Sequence, residues 1–93
     1  MPIQSFKDHE AESLHKTGKS RRYGNIAQTA YRKLDMLDAA GELRDLASPP
    51  GNRLEPLSGD RAGQHSIRIN GQWRICFVWT SSGPADVEIT DYH

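Results

Sequence analysis

The 93-residue sequence predicts an α+β domain: two to three N-terminal helices packed on a small, mostly antiparallel β-sheet built from the second half. Three observations predict it. Ile26, Ala30, Leu34 and Leu37 recur at i, i+4, i+8 and i+11, which is one apolar stripe of a helix. Two runs of alternating apolar residues flank Asn70-Gly71, the strongest short hairpin signal. Between the halves, Ser48-Pro49-Pro50-Gly51-Asn52 stops regular structure. A second core does not fit this length, so residues 1–93 form a single domain.

In chain order, Ile3 to Phe6 reads as a short strand. Asp8 is placed to cap a helix by accepting its orphan N–H groups. Glu10 and Glu12 suit its first turn, Lys16 its last and Gly18 its exit. Asn25, with Gln28 three residues on, has the spacing of a capping box for the second helix, and Gly41 suits its end. A third helical turn is expected from Glu42 to Ala47, followed by strands at His65–Ile69, Trp73–Trp79 and Val87–Tyr92.

The loop at Asn70 decides which side chains share a face. A two-residue loop would leave both faces half apolar. A three-residue loop, Asn70 to Gln72, pairs Ile69 with Trp73. It gathers Ile67, Ile69, Trp73, Ile75, Phe77 and Trp79 on one face, and Ser66, Arg68, Arg74, Cys76 and Val78 on the other. A one-residue slip would flip every side chain, so burial selects the second register. Arg68 and Arg74 then stand side by side on an exposed face. Folding gains nothing from that repulsion. Either an anionic ligand offsets it, or each arginine pairs with Asp86, Glu88 or Asp91 of the last strand.

The chain is neutral overall, with 12 basic and 12 acidic residues, but the signs are separated. Six cations and no acid lie between Ser13 and Leu34, and the acids gather at 8–12, 35–45 and 86–91. This is either a basic face opposite an acidic one or ordinary solvated helix surface. No run of about 18 apolar residues could cross a membrane. Met1 to His15 is mixed polar and reads as neither signal nor transit peptide. The lone Cys76 excludes an intramolecular disulfide, and a reducing, cytoplasmic setting is expected. The histidines lack metal-ligand spacing, so no metal and no cofactor is expected. His65 reads as core-facing, His15 as surface and Cys76 as a small hydrophobe.

The segment Leu54-Glu55-Pro56-Leu57-Ser58-Gly59-Asp60-Arg61-Ala62-Gly63-Gln64-His65-Ser66-Ile67 resembles the linker and second strand of HigB-like toxins of the RelE/ParE superfamily. Trp73-Arg74-Ile75 resembles their central strand, Asp91-Tyr92-His93 their terminal motif, and Ile3-Gln4-Ser5-Phe6-Lys7 their opening. The likeness runs in order over essentially the whole chain. It implies a RelE-like fold and the toxin of a type II toxin–antitoxin pair. It also implies a ribosome-dependent mRNA endonuclease that inhibits translation. The implied partners are a HigA-like helix-turn-helix antitoxin, the ribosomal A site with its mRNA, and operator DNA through the toxin–antitoxin complex only.

Metal-independent RNA cleavage needs a base for the ribose 2′-OH, an acid for the 5′-oxygen and cations for the phosphorane charge. On this resemblance the catalytic residues are Asp91, Tyr92, His93, Arg74 and Glu55. His93 is the side chain of the terminal motif that titrates near neutrality. Asp91 lies two residues before it and can orient it, and Tyr92 can stack on a base or donate its hydroxyl. Arg74 and Arg68 would bind phosphate. Lys16, Lys19, Arg21 and Arg22 would meet RNA, although the basic segment could equally meet acidic stretches of the antitoxin. The family pattern has a His where this chain has Glu55 and a Lys where it has Ser58. Glu55 can serve as a base but not as an acid while ionised; alternatively it is a loop carboxylate paired with Arg53 or Arg61. Two other functions fit parts of the chain. One is a ParE-like toxin acting on DNA gyrase without catalysis, which would not need the terminal motif. The other is a non-toxic nucleic-acid-binding adaptor.

Overall fold

The computed structural model describes residues 1–91; the expectations for Tyr92 and His93 lie outside the described residues. Helix α1 spans His9–Thr17. Asp8 caps it, its Oδ1 accepting the Glu10 N–H at 3.0 Å. Gly18 closes it in the left-handed conformation, at φ 75°, donating to the Leu14 carbonyl.

Helix α2 spans Ala27–Ala39, and its stripe is buried as the spacing requires, with Ala30, Leu34 and Leu37 fully covered and Ile26 at its foot. Asn25 is not its cap. The helix starts from Ile26 with no side-chain cap, because burial of Ile26 and the turn Tyr23–Ile26, closed by Ile26 N–H to Tyr23 O at 2.9 Å, set the entry instead. The third helical turn forms as a 3₁₀ turn over Leu43–Ala47, and Glu42 and Asp45 supply a reciprocal capping box. The proline segment contains one further 3₁₀ turn, Pro50–Asn52. Asn52 is fully buried and satisfies the surrounding backbone: its Nδ2 donates to Leu46 O and Ser48 O at 3.1 and 3.3 Å.

The sheet is an antiparallel meander of four strands, β1 (Glu55–Pro56), β2 (His65–Arg68), β3 (Trp73–Thr80) and β4 (Gly83–Asp91), in that spatial order. The three-residue register is the one adopted: Ile67 stands opposite Ile75, Arg68 opposite Arg74, and the Ile69 N–H donates to Trp73 O. Ile67, Ile69, Ile75 and Phe77 pack with the α1 and α2 stripes into one core, with Trp73 and Trp79 half-buried at its margins. Three strand assignments differ from expectation, the first being that β4 starts at Gly83 rather than Val87, because Gly83 to Ala85 pair with Thr80 to Val78 of β3. Ile3 to Phe6 is not a strand but makes a single parallel bridge from Phe6 to Val87. β1 was not expected, because two residues carry no periodicity. The N-terminal segment passes close over Gly83, where φ is 130° and a Cβ would lie 2.5 Å from the Pro2 carbonyl oxygen.

Leu34 is fully buried at the centre of the α2 stripe. Leu34→Ala should therefore cost about 2–5 kcal/mol in a denaturant titration. A loss below about 0.5 kcal/mol, the scale of a surface substitution, would mean that α2 does not pack there.

Candidate active site

The polar face of the hairpin follows from the register. Ser66 lies opposite Cys76, Arg68 opposite Arg74, Arg74 opposite Thr90, and Cys76 opposite Glu88. This face is not open, contrary to the sequence-based expectation. The segment from Arg53 to Arg61 folds over it, β1 joins the sheet with Glu55 in register with Ser66, and Arg74 is left only 6% exposed. Cys76 and Ser66 are buried beneath the same cover.

Arg74 is the centre of the arrangement. One terminal nitrogen lies 2.6 Å from Glu55 Oε1 and donates to the Arg53 carbonyl at 3.1 Å. Neither expected pairing occurs in these contacts. Arg74 meets Glu55 rather than an acid of β4, and Glu55 meets Arg74 rather than Arg53 or Arg61. The cause is β1, which brings Glu55 over the hairpin. Arg61 instead pairs with Glu88 at 2.6 Å and donates to Gln64 Oε1 at 3.1 Å. The Glu88 hydrogen bond holds the Arg61 guanidinium still more firmly protonated. The Arg68 Nε donates to the Asn70 carbonyl at 3.0 Å, so its charge stays at the rim of the hairpin turn.

Two clefts meet at Arg74. One, of about 180 Å³, is lined by Arg53, Arg68, Asn70, Gly71 and Arg74. The other, of about 210 Å³, is lined by Leu57, Arg61, Ser66, Arg74, Cys76, Thr90 and Asp91. Asp91 ends β4 opposite Trp73, and its Oδ2 accepts from Gln72 Nε2 at 3.1 Å. The structure thus gathers Arg74, Arg68, Glu55 and Asp91 around one place. Lys16, Lys19, Arg21 and Arg22 are exposed on and after α1, and Lys16 is paired with Glu12 at 3.1 Å. They line neither cleft; Arg22 lies beside β4 near Glu88 and Ile89. A larger concavity of about 570 Å³, lined by Leu43, Arg44, Leu54, Pro56, His65 and Trp79 among others, shares no lining residue with the two clefts at Arg74. There His65 stacks on Phe77, as a core-facing ring does, whereas His15 is half-buried against Phe6 rather than on the surface.

The end of β4 is held from behind. Tyr23, buried before α2, donates its hydroxyl to Asp8 Oδ2 at 2.8 Å, and that oxygen also accepts the Ile89 N–H at 3.4 Å. Trp73 meets the Tyr23 ring edge-on, with centroids 5.6 Å apart. Burial and the Asp8 carboxylate push the Tyr23 phenol well above its usual value of 10.0. Sequence reasoning gave Asp8 a capping role only, and it missed Arg61, Ser66 and Thr90 as lining groups. The alternation of the hairpin was the signal available for Ser66.

The arrangement is a small antiparallel sheet backed by two helices, with a covered arginine at the meeting of two clefts and a carboxylate at the end of the last strand. The comparisons give that arrangement its family. Residues 4–93 match the model of the HigB-like toxins, described as the RelE-like toxin of type II toxin–antitoxin system HigB, and the chain belongs to that family. It is 43% identical over 76 residues to Toxin HigB-1 of Vibrio cholerae, a match covering 80% of each chain. It is 33% identical over 94 residues to Endoribonuclease HigB of Proteus vulgaris, covering 98% of this chain and 99% of that one. A YoeB/ParE toxin structure from Agrobacterium tumefaciens shares the fold over the full length of both chains, at TM-score 0.58 and 21% identity. Membership makes the chain the toxin of a type II pair, whose counterpart is an antitoxin. Among the described residues, no helix is long and apolar enough to cross a membrane.

Two outcomes are expected from this geometry. Arg74→Ala removes a covered guanidinium, but its partner Glu55 is 46% exposed and can be rehydrated. The loss of stability should be about 1–3 kcal/mol, against within about 0.5 kcal/mol for Arg68→Ala, as read by chemical denaturation. The raised Tyr23 phenol means the folded state keeps its proton where the unfolded chain loses it. Stability from this group is therefore complete below pH 10.0 and declines above it. Melting curves at rising alkaline pH should show a steeper fall for the wild type than for Tyr23→Phe; equal slopes would contradict the assignment.

Proposed function

We propose that the chain is an endoribonuclease that cuts mRNA in the ribosomal A site and so inhibits translation. The carrying observation is the covered Arg74, held between the Glu55 carboxylate and the Arg53 carbonyl where two clefts converge. Membership of the HigB-like family and the name of the Proteus relative support the same reading.

The residues divide the reaction as follows. Arg74 holds the scissile phosphate and offsets the charge that grows on its equatorial oxygens, with Arg68 and Arg53 receiving the adjoining backbone. The Glu55 carboxylate, beside Arg74, accepts the proton of the ribose 2′-OH. The 2′-oxygen bonds to phosphorus, the bond from phosphorus to the 5′-oxygen breaks, and a 2′,3′-cyclic phosphate remains. His93 gives its proton to the departing 5′-oxygen, and Asp91 orients the imidazole. Tyr92 stacks on a base of the message. Every proton has a side-chain donor or acceptor, so the scheme calls for no cofactor. Lys16, Lys19, Arg21 and Arg22 lie outside the clefts and supply salt-sensitive contacts to ribosomal RNA.

The antitoxin in this reading is of the HigA helix-turn-helix type. Operator DNA is met through the toxin–antitoxin complex, and the setting is the cytoplasm.

Cleavage on ribosomes programmed with a short message tests the scheme. His93→Gln keeps size and hydrogen bonding but cannot titrate, and it should cut about 10²–10⁴-fold more slowly. Arg74→Ala should show no measurable cleavage. Undiminished cutting by His93→Gln would remove that residue from proton transfer, and a dead Glu55→Gln beside an active His93→Gln would place the essential proton transfer at β1.

A further inference from the structure

The two clefts that meet at Arg74 differ in charge. The 180 Å³ cleft has three arginines and no carboxylate among its lining residues. In the 210 Å³ cleft, Arg61 is already matched by Glu88, and Asp91 adds a negative charge at the margin. A phosphate belongs in the first. The second suits a neutral ligand with polar edges.

Its wall is built for one. Ser66 is fully buried, and its Oγ has no hydrogen-bond partner among the described residues; the Thr90 Oγ1 is likewise covered and without a partner. Buried hydroxyls are normally satisfied, and leaving one unmade costs stability, so an unmatched pair along one cleft calls for an explanation. The two come from strands on either side of β3: Ser66 stands opposite Cys76, and Thr90 opposite Arg74. Each hydroxyl can donate and accept, Leu57 offers an apolar wall, and Asp91 can accept at the rim.

We infer that this cleft is a nucleobase subsite, in which Ser66 and Thr90 read the hydrogen-bonding edge of a base next to the phosphate held by Arg74. A base edge carries donors and acceptors together, which hydroxyls match and a row of arginines does not. The ring lies against Leu57, and the shared Arg74 ties base and phosphate to one nucleotide. The inference rests on the reading of Arg74 as the phosphate holder. It adds two residues that set which codon is cut.

The test uses the isolated full chain, without ribosomes, titrated by NMR with inorganic phosphate and with each of the four nucleoside 3′-monophosphates. At least one nucleotide should bind ten-fold or more tightly than phosphate, with shifts at Ser66, Cys76 and Thr90. Ser66→Ala with Thr90→Val should bring every nucleotide to the affinity of phosphate while the melting temperature holds or rises, because only unmatched hydroxyls are lost. Nucleotides that bind no better than phosphate, or a double variant that keeps the preference, would overturn the subsite. A double variant that unfolds would also overturn it, since the hydroxyls would then serve the core. Arg74→Ala separates the two readings. Phosphate affinity unchanged by that variant, with the base preference intact, would reject Arg74 as the phosphate holder and leave the subsite standing.

Discussion

The register of the β2–β3 hairpin is the constraint on which the other features depend. The Asn70 side chain sets it, its Oδ1 accepting the N–H groups of Gln72 and Trp73 at 2.8 Å each and so making a loop of three residues rather than two. With that count, Ile67, Ile69, Ile75 and Phe77 enter the core, and Ser66, Arg68, Arg74 and Cys76 face away from it. A slip of one residue would bury the arginines against α2 and expose the core, so the same hydrogen bonds that close the turn also aim the site.

Two like charges on adjacent strands have to be accommodated once that face is set. Arg68 is drawn to the turn carbonyl of Asn70, and Arg74 to Glu55 and the Arg53 carbonyl. The carboxylate of Glu55 offsets the charge of Arg74, while Ser58 is exposed and brings no cation. The remaining positive charge beside Arg74 comes from Arg53 and Arg68. The charge of Arg74 is thus partly matched within the fold, while Arg53 and Arg68 line the same cleft with no carboxylate among its lining residues.

The helices contribute position rather than chemistry. Asp8 caps α1, accepts from buried Tyr23 and receives the Ile89 N–H, so one carboxylate ties the first helix, the entry to the second and the last strand together. β4 needs such an anchor, because the chain bulges between its pairings to Cys76 and Val78 and carries Asp86 at φ 51°. The anchor lies after the bulge, next to Thr90 and Asp91, and holds the end of β4 against β3 where the cleft opens.

Periodicity and local capping made part of this fold readable from the residues. The α2 stripe, the Asp8 cap, the Gly18 exit and the hairpin register were legible because side-chain alternation and backbone capping act over a few residues. The facing of Arg68 and Arg74 was legible for the same reason, as was the family, carried by motifs in order along the chain. Tertiary structure alone decided what lies over that face. β1 is two residues long and has no period to read, yet it brings Glu55 to Arg74 across 19 positions of sequence. The pairing of Arg61 with Glu88, the tie from Tyr23 to Asp8 and the joining of Ser66 with Thr90 in one cleft are likewise contacts between distant segments. Each depends on how the 53–61 segment and the helices close on the sheet, and that is set by the packing of the whole core rather than by any local pattern.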